Sequence, residues 1–212
     1  MPHTEVDLIL ANEQTQSFSY LVQAGDRIAV YPAFTTLRLN RTVSLRPPPP
    51  QPVRFLLDNH LGRLARYLRL LGFDTLYFNN AYDDAQLAEL AHNKDCILLS
   101  RDRGLLKRSQ VIHGYCLRSK DPRQQVADVL HRYQLAAQIK PWRRCLRCNG
   151  TLQPVAKEQI LHRLEPKTKR YYTDFQICAD CEQIYWRGSH FRKLASFVDQ
   201  MCEFDAPYKS RG

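Results

Sequence analysis

The sequence predicts an α/β protein built on a parallel sheet at residues 53–140, followed by a small zinc ribbon at 141–212 and preceded by a strand-rich segment at 1–46. Three observations lead there. From residue 53 onward, short apolar runs alternate with stretches of helical periodicity, the signature of strand–helix–strand units. Two of those runs, Phe55-Leu-Leu-Asp58 and Leu98-Leu-Ser-Arg-Asp102, end in an aspartate. Apolar runs of this length with a polar stop read as buried parallel strands, whose ends are where ligands and catalytic groups gather. Finally, four of the seven cysteines fall into two Cys-x-x-Cys pairs, Cys145/Cys148 and Cys178/Cys181.

Bulk properties narrow the function classes. The 212 residues suffice for one large or two to three small domains, and 44% are hydrophobic. No run approaches the eighteen apolar residues of a membrane span, and the start lacks a basic-then-apolar signal pattern, so the expected location is cytoplasmic with no membrane partner. The net charge is +10 with a pI near 9.4. Residues 1–50 carry no net charge, whereas 51–140 and 141–212 carry five positive charges each. Such an excess favours a polyanionic partner, most commonly nucleic acid.

Taken in order, residues 1–46 read as strands at Val6–Ala11, Ser17–Val22 and Arg27–Phe34, with turn chemistry at Ala24-Gly25-Asp26. Gly25-Asp-Arg-Ile-Ala-Val-Tyr-Pro32 resembles the closing hairpin of ubiquitin-like β-grasp domains, particularly the sulfur-carrier-like branch. That resemblance implies a partial fold, its opening hairpin and helix falling before Met1, and no carrier role because a Gly-Gly tail is absent. So small a half-fold buries little, so these strands either start late or lean on the next domain. The prolines between Arg46 and Pro52 make 47–52 a stiff extended linker.

Phe55–Asp58 is the first strand of the central domain. A helix follows over about 60–71, with Leu61, Leu64, Ala65, Leu68 and Leu71 on its apolar face and Arg63, Arg66 and Arg69 opposite. Gly72 suits a left-handed cap. Further strands are expected at Thr75–Phe78, Cys96–Ser100 and Tyr115–Leu117. One helix should start at Asp83-Asp84 and another run from Arg123 to Tyr133, capped near Asp121. Beyond Pro141, residues 157–172 have a partly helical pattern, 191–203 a short helix, and the last residues read as disordered.

The cysteines carry the strongest chemical signal. Two Cys-x-x-Cys knuckles separated by 29 residues supply four thiolates, a closed tetrahedral Zn²⁺ shell. With no open position, such a zinc is structural. A redox dithiol would need only one pair. Cys96, Cys116 and Cys202 read as plain core, and His190 as a local hydrogen-bonding group or an RNA contact. The carboxylates suggest a second centre. A hard ion such as Mg²⁺ needs few carboxylates around a phosphate, and Asp58 and Asp102 sit at strand ends. Asp83 or Asp84 could reach the same cleft, although capping a helix accounts for either. Asp74 and Asp95 fall at the opposite sheet edge.

Phe55-Leu-Leu-Asp-Asn-His-Leu-Gly-Arg-Leu-Ala-Arg-Tyr-Leu-Arg-Leu-Leu-Gly-Phe-Asp74, with Asp83-Asp84 and Leu99-Ser-Arg-Asp102-Arg-Gly-Leu-Leu106, resembles the PIN-like ribonuclease domain of the Mut-seven C-terminal family. Arg144-Cys-Leu-Arg-Cys-Asn-Gly150 and Ile184-Tyr-Trp-Arg-Gly-Ser-His190 match its zinc ribbon, and some members carry a ubiquitin-like domain in front. The resemblance covers essentially the whole chain. It implies RNA cleavage dependent on Mg²⁺ or Mn²⁺ at Asp58, Asp84 and Asp102, with Asp83 the fallback for the middle acid and Ser100 orienting a ligand. A fourth acid has no secure match; Asp121 is as well explained by capping. Arg63, Arg66, Arg101, Arg103, Lys107 and Arg108 would then hold substrate phosphates. In the ribbon, Arg143, Arg144, Arg147, Lys167, Lys169 and Arg170 beside Tyr171, Tyr172 and Trp186 suit single-stranded RNA. A non-catalytic RNA- or ribosome-binding protein on the same scaffold is the alternative.

Overall fold

The structure, a computed structural model, describes residues 1–32, 44–189 and 191–203. Phe34, His190 and the tail beyond 203 lie outside the described residues. In chain order the elements are β1 (Val6–Ala11), β2 (Gln14–Gln16), β3 (Ile28–Pro32), β4 (Arg54–Leu57), α1 (Gly62–Leu70), β5 (Asp74–Leu76), α2 (Asp84–Asn93), β6 (Ile97–Ser100), α3 (Arg103–Leu106), β7 (Gly114–Cys116), α4 (Pro122–Tyr133), β8 (Leu152–Val155), α5 (Lys157–Ile160), α6 (Pro166–Tyr171), β9 (Phe175–Cys178), β10 (Ile184–Trp186) and α7 (Phe191–Glu203). They divide between two compact units: residues 1–62 with 76–120, and 63–75 with 121–212. No helix among the described residues is long and apolar enough to cross a membrane.

In the first unit, β1 is the centre of a three-stranded antiparallel sheet in the order β2-β1-β3. The tight turn falls at Asn12 and Glu13, both at positive φ (50° and 69°), as a two-residue hairpin requires. The strand expected over Ser17–Val22 does not form. The Ser17 hydroxyl bonds the Ser19 hydroxyl at 2.7 Å and accepts the Ser19 N–H at 3.3 Å, a local alternative to pairing. The small sheet leans on the following domain, as its size demands. The His3 ring bonds the Val111 carbonyl at 2.8 Å, and the Cys116 N–H donates to the Glu5 carboxylate at 3.0 Å.

The central sheet has the order β5-β4-β6-β7, with β4–β6 and β6–β7 paired in parallel. Leu57 lies opposite Leu99, and Ser100 opposite Cys116, so Asp58 and Asp102 leave the same end of adjacent strands. Leu56 and Leu98 pack with Leu87, Ala88 and Ala91 of α2, Leu105 and Leu106 of α3, and Val111. Cys96 and Cys116 are core here, as expected. The four-residue helix α3 was not foreseen: too short for periodicity to show, it exists because Asp102 caps it.

The second unit contains α1, whose Leu64, Ala65 and Leu68 are fully buried. Gly72 closes it at φ +95°, where an added Cβ would lie 2.1 Å from the Lys140 carbonyl oxygen. Arg69 corrects the expected polar face. Only 4% exposed, its guanidinium donates to the carbonyls of Thr75 (3.0 Å), Leu146 (3.2 Å) and Arg147 (2.9 Å). A buried charge persists only with such partners. Asp121 caps α4 through the Arg123 N–H, with Pro122 at the first helical position. The ribbon sheet runs β10-β9-β8, antiparallel, over a core of Ile160, Leu164, Phe175 and Ile184. Strand β8 was missed because Gln153-Pro154 interrupts its pattern, a proline that an edge strand tolerates. Cys202, expected in the core, is exposed on α7; the neighbouring Met201 is the residue turned inward.

Candidate functional site

The first candidate centre grows from the paired ends of β4 and β6. The Asp58 N–H continues the ladder to the Leu99 carbonyl at 3.0 Å, which fixes the residue just past the last apolar position. Its carboxylate Oδ2 accepts the Ser100 hydroxyl at 2.5 Å, and Oδ1 accepts the Asn59 N–H at 2.6 Å. Ser100 is fully buried, and its Oγ accepts the Asp102 N–H at 2.8 Å. One hydroxyl therefore links the Asp58 carboxylate to the Asp102 backbone. The Asp102 carboxylate accepts the Gly104 N–H at 2.6 Å, a cap contact that aims it at the start of α3.

The two adjacent aspartates at the start of α2 take different positions. Asp83 is the cap, in a reciprocal capping box with Gln86, whereas Asp84 is the first helical residue. Asn59, not foreseen as functional, ties this segment to β4. Its side-chain amide donates to the Tyr82 carbonyl at 3.2 Å and its oxygen accepts the Asn80 N–H at 3.0 Å. The signal available for it was its place directly after the strand-end Asp58.

Asp58 is half-buried, as is Asp84, and Asp102 is exposed. Each Asp58 oxygen accepts one described protein hydrogen bond and keeps lone-pair capacity for more. The three carboxylates do not form a set with ligand atoms within 4.8 Å of one another; among the described residues only the four cysteines do. A hard cation that keeps several waters does not need three carboxylates in direct contact, so the oxygen-only donor set still fits one. Arg101, Arg103, Lys107 and Arg108 share the compact unit of the acids and are all exposed. Arg63 and Arg66 belong to the other unit, with the ribbon. Of the acids set aside, Asp74 is engaged there with Arg144 at 3.6 Å and Asn149 at 2.7 Å.

The second centre is the cysteine cluster. Both knuckles have the same hydrogen-bond pattern. Asn149 N–H reaches the Cys145 carbonyl and Glu182 N–H the Cys178 carbonyl, each at 3.0 Å. Cys145 N–H returns to Gly150 at 2.7 Å and Cys178 N–H to Gln183 at 3.0 Å. Asn149 and Glu182, each following its second cysteine, take left-handed φ of 77° and 56°. Gly150 is held tightly: a Cβ there would meet the Asp180 carboxylate at 2.3 Å and Cys178 Sγ at 2.9 Å.

The sulfurs converge, Cys145 to Cys181 at 3.6 Å and Cys148 to Cys178 at 3.4 Å, all four within 4.8 Å. A tetrahedral metal with arms of about 2.3 Å has edges of roughly 3.8 Å, so the spacing fits a thiolate-bound ion. The thiols differ in acidity. Burial raises Cys145, but the Tyr185 hydroxyl and the N–H groups of Cys148 and Arg147 outweigh it and bring the pKa down to about 7. Burial pushes Cys148 up to about 12. Beside them the buried Arg69 holds the first knuckle by the carbonyls of Leu146 and Arg147, a positive charge next to a thiolate cluster.

Comparison with known proteins adds two findings. The family model described as the Mut7-C RNAse domain matches residues 53–198, and the one described as Mut7-C ubiquitin matches residues 1–38. No curated protein and no solved structure matches the chain.

Proposed function

The chain belongs to the Mut7-C RNAse domain family, whose model spans well over half of it, and on that premise we propose a metal-dependent ribonuclease that cleaves phosphodiester bonds in RNA. The observation that carries the reading is the bridge from Asp58 through Ser100 to Asp102 at the ends of adjacent parallel strands. Asp58, Asp84 and Asp102 would hold Mg²⁺ or Mn²⁺, ions that prefer carboxylate and water oxygens. When bound, such an ion supplies an activated water and stabilises the leaving oxygen. Ser100 and Asn59 fix the Asp58 carboxylate so that it does not reorganise during the reaction. Arg101 and Arg103 flank Asp102 and offer charge to the substrate phosphates. The cysteine cluster would hold a structural Zn²⁺, kept separate from catalysis by its closed shell. Cysteines paired for a metal rather than for disulfides suit a reducing compartment, the basis for reading the protein as cytoplasmic.

Purified protein should cleave single-stranded RNA with Mn²⁺ or Mg²⁺ and stop in EDTA. Asp58→Asn and Asp102→Asn should each reduce kcat/KM by at least about a hundredfold while leaving the fold intact. Undiminished cleavage in both variants would place the activity at another site or in a contaminant, whereas a parent protein that binds RNA without cleaving it would be the non-catalytic RNA-binding alternative.

A further inference from the structure

Arg63, Arg66 and Arg147 line a recess of about 580 Å³ in the ribbon-containing unit, together with Tyr67 and Tyr185. All three arginines are exposed, and among the described residues no carboxylate lines the recess. A cluster of cations without an acid carries a repulsion that a bound anion would relieve. The recess shares Leu70, Leu146, Gln183, Tyr185 and Leu194 with a second, larger cleft of about 1080 Å³. That cleft is walled by Tyr171, Tyr172, Phe175 and Trp186, with Lys167 and Arg187 also in its lining.

Two of these rings face water to a degree that large aromatics seldom do: Tyr171 is 65% exposed and Trp186 40%. Cations lie against the aromatic surface. The Arg170 guanidinium sits 5.4 Å from the Tyr171 ring centre, and that of Arg187 sits 5.3 Å from the Phe191 ring centre. Among the described residues the lining holds one carboxylate, Asp174, and Arg144 in the same wall is engaged by Asp74 at 3.6 Å. Aromatic faces beside guanidinium and ammonium groups match the two halves of an unpaired nucleotide, a base to stack and a phosphate to neutralise. A duplex hides its base faces, so the ring surface discriminates in favour of single strands. A volume above that of an ordinary small-ligand pocket gives room for more than one base.

We propose that the arginine recess and the aromatic cleft form one continuous track for unpaired RNA on the ribbon unit, with Arg63, Arg66 and Arg147 on phosphates and Trp186 and Tyr171 under bases. This rests on the reading that the protein acts on RNA, and it assigns the strand to a surface other than the acidic residues. The track supplies affinity for single strands whatever their sequence, since every base has a face to stack.

The test is fluorescence anisotropy of a labelled single-stranded RNA on the full chain, in an Asp102→Asn background so that the probe is not cut. Trp186→Ala and Tyr171→Ala should each weaken binding roughly five- to a hundredfold, with the dependence on salt unchanged. Trp186→Phe, which keeps a ring, should retain most of the affinity. Arg63→Ala combined with Arg66→Ala should lower the slope of log K against log salt by about two, one for each phosphate contact. Unlabelled duplex RNA should compete poorly. Melting temperature and zinc content verify that each variant is folded, and the largely exposed Tyr171 keeps the test open if a Trp186 variant is not. Folded aromatic variants that bind as tightly as the parent would overturn the track and leave the ribonuclease reading standing. A parent chain that binds no RNA at all would overturn both.

Discussion

Ser100 has one hydroxyl, and both acids depend on it: it donates to Asp58 and accepts from the Asp102 N–H. Its side chain is fully buried between a half-buried and an exposed aspartate. Ser100→Ala should therefore remove both bonds, at about 1 kcal/mol of stability for each. It should also free the Asp58 carboxylate to rotate, lowering kcat by about ten- to a hundredfold with KM for RNA unchanged. Ser100→Thr, which keeps the hydroxyl, should restore much of the rate. A melting temperature that falls while kcat holds would reduce Ser100 to a structural residue. At this scale the sequence was readable where chemistry is local. Asp102 was readable from its place just past a strand end, and Ser100 only through the resemblance of Ser-Arg-Asp to the family's motif. Asn59 and Arg69 were not readable, since their acceptors, Tyr82 in one case and Leu146 and Arg147 in the other, lie far along the chain. A side chain that bonds a distant carbonyl leaves no periodicity behind.

Elements were legible in proportion to their length. The apolar stripe of α1 and the runs of β4 and β6 were readable because burial imposes a period on many residues at once. The three-residue strands β5 and β7 were found from short apolar runs with their limits shifted by one or two residues, whereas the four-residue α3 offers too few positions for a period and depends on its cap. The start of α2 shows how much a cap decides. Asp83 and Asp84 are adjacent and chemically identical, yet the first takes part in the capping box and the second does not. Asp83→Ala should lower stability by about 1 kcal/mol, the usual cost of a lost N-cap, with catalysis near normal. Asp84→Asn should do the reverse, leaving the melting curve in place and cutting kcat/KM about tenfold or more. Chemical denaturation and RNA cleavage on the two variants separate these outcomes. If Asp83→Ala abolishes turnover in a protein that still folds, the middle acid is Asp83.

Over the whole molecule, chain order and compact units do not coincide: residues 63–75 belong with the ribbon although the sequence places them inside the central domain. Polar stitches account for it, chiefly Arg69 on the knuckle carbonyls and Asn149 on Asp74 and the Thr75 N–H. The two candidate metal centres fall in separate units and have opposite chemistry, carboxylate oxygens in one and thiolate sulfurs in the other. Oxygen donors with retained waters exchange a hard ion readily, while four converging thiolates, two of them buried, would hold zinc as part of the fold. A brief EDTA treatment should therefore stop RNA cleavage at once, with zinc still bound by elemental analysis, and added Mg²⁺ or Mn²⁺ should restore it fully without zinc. Prolonged treatment with a thiol reagent should release the zinc and lower the melting temperature of the ribbon. Cys145→Ser with Cys178→Ser should reproduce that loss, with one zinc per chain gone. Activity that returns only with zinc would contradict the separation, because it would make the thiolate site, or zinc at the acids, the catalytic metal.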